Sequence, residues 1–310
     1  GYELSLKGAG TTPYSRGADG RAVLRSSIRE YLCSIAMEGL NIPTTEALAI
    51  VASDTDVYRE HVESGAIVTR VAKSHIRFGH FELFASRGQT AEVKKLADFV
   101  IDHYYPQLKG KDSYLQLFKT VILSTAVMIA RWQAQGFAHG VMNSDNMSIL
   151  GLTIDYGPFS FMETYNPSFI CNHSDHQGRY SFERQPSVAL WNLDRLANAI
   201  RSLIDETHLK DALAEYEGFL VKEYSALMRQ KFGLVEVNED DSKLVNDYLQ
   251  LLYVHRKDYP ISMRILSKED NHMGSDFDSW FERYHQRLTQ EKIKPNQRQK
   301  SMDSVNPKYV

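Results

Sequence analysis

The strongest constraint on how this chain can fold is a change of hydrophobic period along it. Its first 75 residues hold runs that alternate every second residue around a single helix, whereas beyond Thr90 the apolar spacing is almost entirely helical. Strands grouped at one end and helices at the other imply an α+β architecture rather than repeated βαβ units. Residues 2–6 (YELSL) read as a strand, followed at once by Lys7 and by a loop, 8–20, punctuated by Gly8, Gly10, Gly17 and Gly20. A helix is expected over 21–37, with Ile28, Leu32, Ile35 and Ala36 on one face, Glu30 on a different face and Gly39 as the stop. Two more strands are expected at 47–52 and 66–72, then helices at 90–105, 113–135, 188–204, 209–231, 242–255 and 276–292. No internal repeat is present, and the polar stretch 293–310 reads as a mobile tail.

Length and composition narrow the function classes. A chain of 310 residues with 43% hydrophobic and 24% charged residues buries a real core, which excludes a mostly disordered protein. Lys and Arg total 36 against 39 Asp and Glu, a net charge of -3 without the basic excess of a nucleic-acid binder. The longest apolar stretch, residues 121–130, is about half of what a bilayer crossing needs and reads as a core helix. Neither a membrane nor nucleic acid is therefore an expected partner. Two cysteines, Cys33 and Cys171, suit a reducing compartment, with the cytoplasm expected if the chain is bacterial. The chain opens on Gly1 and stops in mid-pattern at Tyr309 and Val310, as a fragment of a longer protein would.

Three groups of residues carry candidate chemistry. A lysine at a strand end, a glycine-rich loop and a helix bearing Glu30 are the parts of a phosphate-handling lobe, although a lone Lys and Glu are more often solvated surface charges. Arg70 and Arg77 flank a strand end at a spacing that lets both forks face one cleft, or both be exposed. The segment 139–157 is the most informative. Asp145 and Asn146, a strand-turn-strand over 147–154, then Asp155, Tyr156 and Gly157 return carboxylate and amide oxygens to one place, the donor set of a magnesium site completed by substrate phosphates. Set against the kinase pattern H-R-D-x-x-x-x-N followed by D-F-G, His139, Asn146 and Asp155 to Gly157 align, while Val141 stands where the catalytic aspartate would be. Cys171, His173, Asp175 and His176 match no standard zinc spacing and read as a polar loop, with a metallohydrolase as the weaker alternative. Trp132, Trp191 and Trp280 sit at helical spacing and are expected in the core.

Four long motifs, ELSLKGAGTTPYSRGADGRAVLRSSIREYL, TRVAKSHIRFGHFE, HGVMNSDNMSILGLTIDYGPFSFM and NPSFICNHSDHQGRYSFERQPSVALWNLDRLA, resemble the selenoprotein O family over essentially the whole chain. The resemblance implies a protein-kinase-like, two-lobed pseudokinase fold: a strand-rich N-lobe over 1–88, a helical C-lobe with the catalytic and metal loop over 89–292, and a truncated tail over 293–310. It implies an enzyme that binds ATP inverted relative to kinases and transfers AMP to Ser, Thr or Tyr hydroxyls of proteins, with Mg2+, or alternatively Mn2+, as cofactor. Residue by residue, it assigns Lys7 to the ATP phosphates with Glu30 as its ion-pair partner. Asp19, Gly20, Arg70, Arg77 and Asp155 become nucleotide contacts, Asp145 the proton acceptor, and Asn146 and Asp155 the metal ligands. The family's glycine-rich segment before the lysine strand is expected upstream of Gly1, and its C-terminal region, which ends near a cysteine or selenocysteine and would hold the partner of Cys171, beyond Val310. Two free thiols are therefore expected here. The alternative to catalysis is a non-catalytic pseudokinase that binds nucleotide as a regulated interaction module.

Overall fold

The computed structural model describes residues 1–13, 15, 17–268 and 272–308. It is an α+β protein. Strands β1 (Glu3–Lys7) and β2 (Ala22–Val23) precede helix α1 (Leu24–Gly39), and the long strands β3 (Glu46–Tyr58) and β4 (Val62–Ala72) follow it. Next come α2 (Phe78–Ser86), α3 (Thr90–Tyr104) and α4 (Ser113–Gln135), then the short strands β5 (Phe137–Ala138) and β6 (Ser160–Phe161). Helices α5 (Gln185–Ile200), α6 (Glu206–Phe232), α7 (Asp241–Val254), α8 (Tyr259–Ile265), α9 (Asp278–Leu288) and α10 (Pro295–Val305) complete the chain. Two compact units emerge, one made of residues 1–128, 141–157 and 190–215, the other of 129–140, 158–189 and 216–310.

The first unit is organised by β4, which pairs antiparallel with β1, β2 and β3. Side chains alternate across a strand, so Ser5 and Lys7 share a face with their register partners Arg70 and Val68. That face carries the charged cluster described below. The other face of β1 carries Leu4 and Leu6, which are exposed.

Helix α1 reverses its expected orientation. The buried positions are Ser27, Glu30, Cys33, Ser34 and Met37, while Ile28, Leu32 and Ile35 are 45%, 61% and 50% exposed. A polar face is turned inward because it has partners there: Glu30 meets Lys7 and Arg70, and the Ser34 hydroxyl donates to the Thr45 carbonyl at 2.9 Å. Satisfied polar groups can be buried where unsatisfied ones cannot. Burial also pushes the Cys33 thiol up to about 12, and both Cys33 and Cys171 are free thiols.

Helix α4 is long and apolar enough to cross a membrane by length and composition, and its Val121, Ile122, Ala126 and Ile129 are fully buried in protein. In the second unit Phe232, Tyr248, Trp280 and Tyr284 form the centre of the core, with Trp280 stacked on Tyr284 at a centroid distance of 5.0 Å. Each polar tip is satisfied: the Trp280 indole N–H donates to the Leu244 carbonyl, Tyr284 to the Phe232 carbonyl and Tyr248 to the Ser262 carbonyl.

Two expectations fail outside the site. Trp191 is 44% exposed, lying under the Arg195 guanidinium at 5.5 Å instead of in the core. The stretch expected as a mobile tail holds α10, whose Met302 is buried against Gly233 and whose neighbour Asn306 donates to the Lys231 carbonyl at 2.8 Å. Tyr309 and Val310 lie outside the described residues. Replacing Trp280 by Ala removes a fully buried ring and is expected to destabilise the protein by about 3 to 5 kcal/mol. Replacing Trp191 by Ala should change stability by less than about 1 kcal/mol. Urea unfolding of the two variants checks both.

Candidate active site

Lys7, at the last position of β1, is held from two sides. Its Nζ lies 2.7 Å from Glu30 Oε2 of α1 and 2.6 Å from Asp155 Oδ1, a carboxylate 148 residues away in sequence. Burial alone would lower the lysine's pKa, but the Asp155 and Glu30 carboxylates outweigh it and hold the ammonium above its ordinary 10.5. A raised folded-state value means the stabilising charge is fully present below the unfolded value of 10.5. It is lost only as the pH rises through the folded one. Lys7 is therefore a fixed cation throughout the physiological range.

Glu30 is almost fully buried and faces a second cation, with Arg70 Nη1 3.6 Å from its Oε1. Arg70 is itself 5% exposed, so the expectation of an open cleft arginine gives way to a buried one. Its Nη2 donates to both the carbonyl and the hydroxyl of Thr45, and its guanidinium lies 5.1 Å from the centre of the Tyr156 ring. Arg70 Nη1 makes no hydrogen bond within normal range and has the Glu30 carboxylate, 3.6 Å away, as its counter-charge.

Asp155 reaches Lys7 because its backbone is in the left-handed region, φ 60°, which Asp tolerates better than most residues. The Gly157 N–H donates back to the Asp155 carbonyl at 3.0 Å, and Arg29 of α1 donates to the Gly157 carbonyl at 2.9 Å. Tyr156 between them is buried, its hydroxyl bonded to Thr44, and burial pushes its phenol well above the usual range.

The segment with Asp145 and Asn146 is tied to the start of α2. Arg77 Nη1 donates to the Asp145 carbonyl at 2.7 Å, and Asn146, 4% exposed, donates its amide N–H to the Val141 carbonyl at 2.9 Å. That bond commits the Asn146 nitrogen and directs its oxygen to act as acceptor or ligand. The strand-turn-strand expected over 147–154 does not pair with itself. Ser148 bridges to Arg77 and Thr153 to Thr44, since a turn at Gly151 leaves too few residues for a ladder and the backbone groups find partners in neighbouring segments. The expected nucleotide contact Asp19 is engaged elsewhere, forming a two-pronged pair with Arg59 at 2.7 and 2.9 Å, while Gly20 closes its loop by accepting from the Gly10 N–H at 3.1 Å. Hydrogen bonds from Arg59 and from the Arg21 backbone hold the Asp19 carboxyl down near 2.

A family model described as "Protein adenylyltransferase SelO" matches residues 1–310, the whole chain. The chain belongs to this family. It is thereby a nucleotidyltransferase with ATP and proteins as its substrates.

The residues that could hold a metal are Asn146 and Asp155. Among the described residues no group of three or more His, Cys, Asp or Glu side chains gathers. An amide and a carboxylate oxygen match a hard cation that completes its shell with water and phosphate oxygens. Cys171 Sγ contacts the Ala138 carbonyl at 3.5 Å and Asn172 donates to the Gly140 carbonyl at 3.0 Å, while the Asp175 carboxylate accepts from the Arg179 and Tyr180 N–H groups. Those bonds organise a loop. Arg29 and Thr45 carry no signal in the sequence, because an arginine beside Glu30 and a threonine before a strand do not show locally what they will face.

Removing the Glu30 carboxylate leaves Lys7 with Asp155 alone and Arg70 buried without its counter-charge. Glu30→Ala is expected to lower stability by about 3 to 5 kcal/mol. Lys7→Met, at a half-exposed position whose carboxylate partner retains Arg70, should lower it by no more than about 1 kcal/mol. Guanidinium unfolding followed by fluorescence distinguishes the two.

Proposed function

We propose that this SelO-family chain transfers AMP from ATP to Ser, Thr or Tyr hydroxyls of proteins, on a protein-kinase-like pseudokinase fold with ATP inverted relative to kinases. One observation carries the reading: a lysine clamped between Glu30 and Asp155, with Arg70 ordered by the other oxygen of the same Glu30 carboxylate. Two fixed cations at one point serve a polyphosphate better than any neutral ligand. Val141 in the place of the kinase aspartate supports a departure from kinase chemistry, with Asp145 as the carboxylate of the loop.

In this reaction the acceptor hydroxyl oxygen attacks the α-phosphorus and the bond to the bridging oxygen breaks. Pyrophosphate leaves while the hydroxyl proton passes to Asp145. Lys7, Arg70 and Arg77 offset the charge that accumulates on the departing pyrophosphate. Asp155 orients Lys7, and Glu30 keeps that ammonium and Arg70 together. Mg2+, or Mn2+ as the alternative, would be held by the Asn146 and Asp155 oxygens and supplies neutralisation of phosphate charge.

Intact-mass spectrometry after incubation with ATP and Mg2+ tests this, using as acceptors the chain itself and an unrelated protein rich in exposed Ser, Thr and Tyr. The expected gain is one AMP unit per modified site, lost in Asp155→Ala and reduced at least tenfold in Asp145→Ala. A gain of phosphate alone contradicts the reaction, and wild-type transfer by Asp155→Ala contradicts the metal assignment. The absence of any addition would favour the non-catalytic module.

A further inference from the structure

The run Arg77-Phe78-Gly79-His80 opens α2, and its backbone is stitched to the segment that carries Asp145. The Phe78 N–H donates to the Met147 carbonyl at 2.9 Å, the Ile149 N–H to the Ile76 carbonyl at 3.0 Å, and Arg77 bridges Ser148. His80 Nδ1 accepts from the Arg77 N–H at 2.9 Å, which fixes the first turn of the helix and with it the Arg77 side chain that grips the Asp145 carbonyl.

Within this turn Gly79 meets Asp145 most closely. A β-carbon at Gly79 would lie 2.2 Å from Asp145 Oδ1 and 3.3 Å from its Cγ, and its next nearest atom is the Asp145 Cα at 3.5 Å. Gly79 has no positive φ, so the backbone does not demand glycine there. Space for the Asp145 carboxylate does. In that space the carboxylate also lies against the first turn of a helix, where N–H groups lack intrahelical partners and the helix dipole favours negative charge.

We propose that Gly79 is a positioning residue for the reaction: by leaving out a side chain it seats the Asp145 carboxylate against the α2 first turn, in the orientation from which it accepts the hydroxyl proton. The inference rests on the assignment of Asp145 as the base. A methyl group at position 79 has only the end of a flexible side chain to displace, so the fold survives and the carboxylate moves. Restoring an ordinary contact requires Oδ1 to shift by about 1 Å, and a displacement of that size at a reacting group lowers rate by up to about a hundredfold.

The test is Gly79→Ala, read in four ways. AMP transfer should show a kcat lower by about ten- to a hundredfold, with KM for ATP unchanged and a melting temperature equal to or above that of the wild type, since Ala is the better helix former. The double variant Gly79→Ala/Asp145→Ala should be no slower than Asp145→Ala, because a seat without its occupant has nothing left to position. A wild-type kcat in Gly79→Ala overturns the inference, as does a parallel rise in KM, a lowered melting temperature, or a further loss in the double variant. If Asp145→Ala itself keeps wild-type transfer, the base assignment fails and the inference with it. A slow Asp145→Ala beside an unaltered Gly79→Ala removes the role of Gly79 alone.

Discussion

The ammonium of Lys7, caught between Glu30 and Asp155, is the interaction on which the geometry of the candidate site depends. It joins three pieces of chain that have no local reason to meet: the end of β1, the middle of α1 and the turn at 155–157. A charge can be kept in such a place only while its partners remain, so the pairing fixes the face α1 presents to the sheet and the conformation of the turn. Arg29 repeats the connection one residue away by holding the Gly157 carbonyl.

An inverted helix is the structural consequence. In an ordinary amphipathic helix the apolar stripe is buried, but α1 buries Ser27, Glu30 and Ser34 and exposes Ile28, Leu32 and Ile35. The electrostatic and hydrogen-bonding demand of the Lys7 and Arg70 face prevails over the burial of three aliphatic side chains. The same demand explains Arg70, drawn 95% out of solvent between Glu30, Thr45 and the Tyr156 ring. Glu30 thereby orders a lysine and an arginine at one point of the first unit.

Much of this was legible in the sequence where local order carries it. The resemblance to a known family pairs Lys7 with Glu30, which local order alone leaves open, and the 3.6-residue period gives α4 its full span of Ser113–Gln135. What was not legible is set by distant contacts. Nothing near Asp155 announces a bond to a lysine 148 residues earlier, and nothing near Arg70 announces burial. Periodicity misled at α1 because the apolar stripe was taken without its polar counterpart, and at Trp191 because helical spacing does not tell which side faces the protein. Helix α10 is almost wholly polar, and it is docked by one methionine and by Asn306 against Lys231, an ammonium that burial pushes down to about 7. The segment 147–154 reads as a strand-turn-strand because its ends return together, yet its bridges run to Arg77 and Thr44.

The central claim is that the Lys7, Glu30, Asp155 and Arg70 cluster serves attack at the α-phosphorus of ATP. Parallel incubations with ATP labelled at the α-phosphate and at the γ-phosphate, followed by separation of protein from free nucleotide, test it most directly. Label from the α-position should be retained on protein and label from the γ-position released with pyrophosphate, with retention falling in Lys7→Met. Retention of the γ-label, with the α-label remaining in free nucleotide, would show phosphoryl transfer and contradict the account.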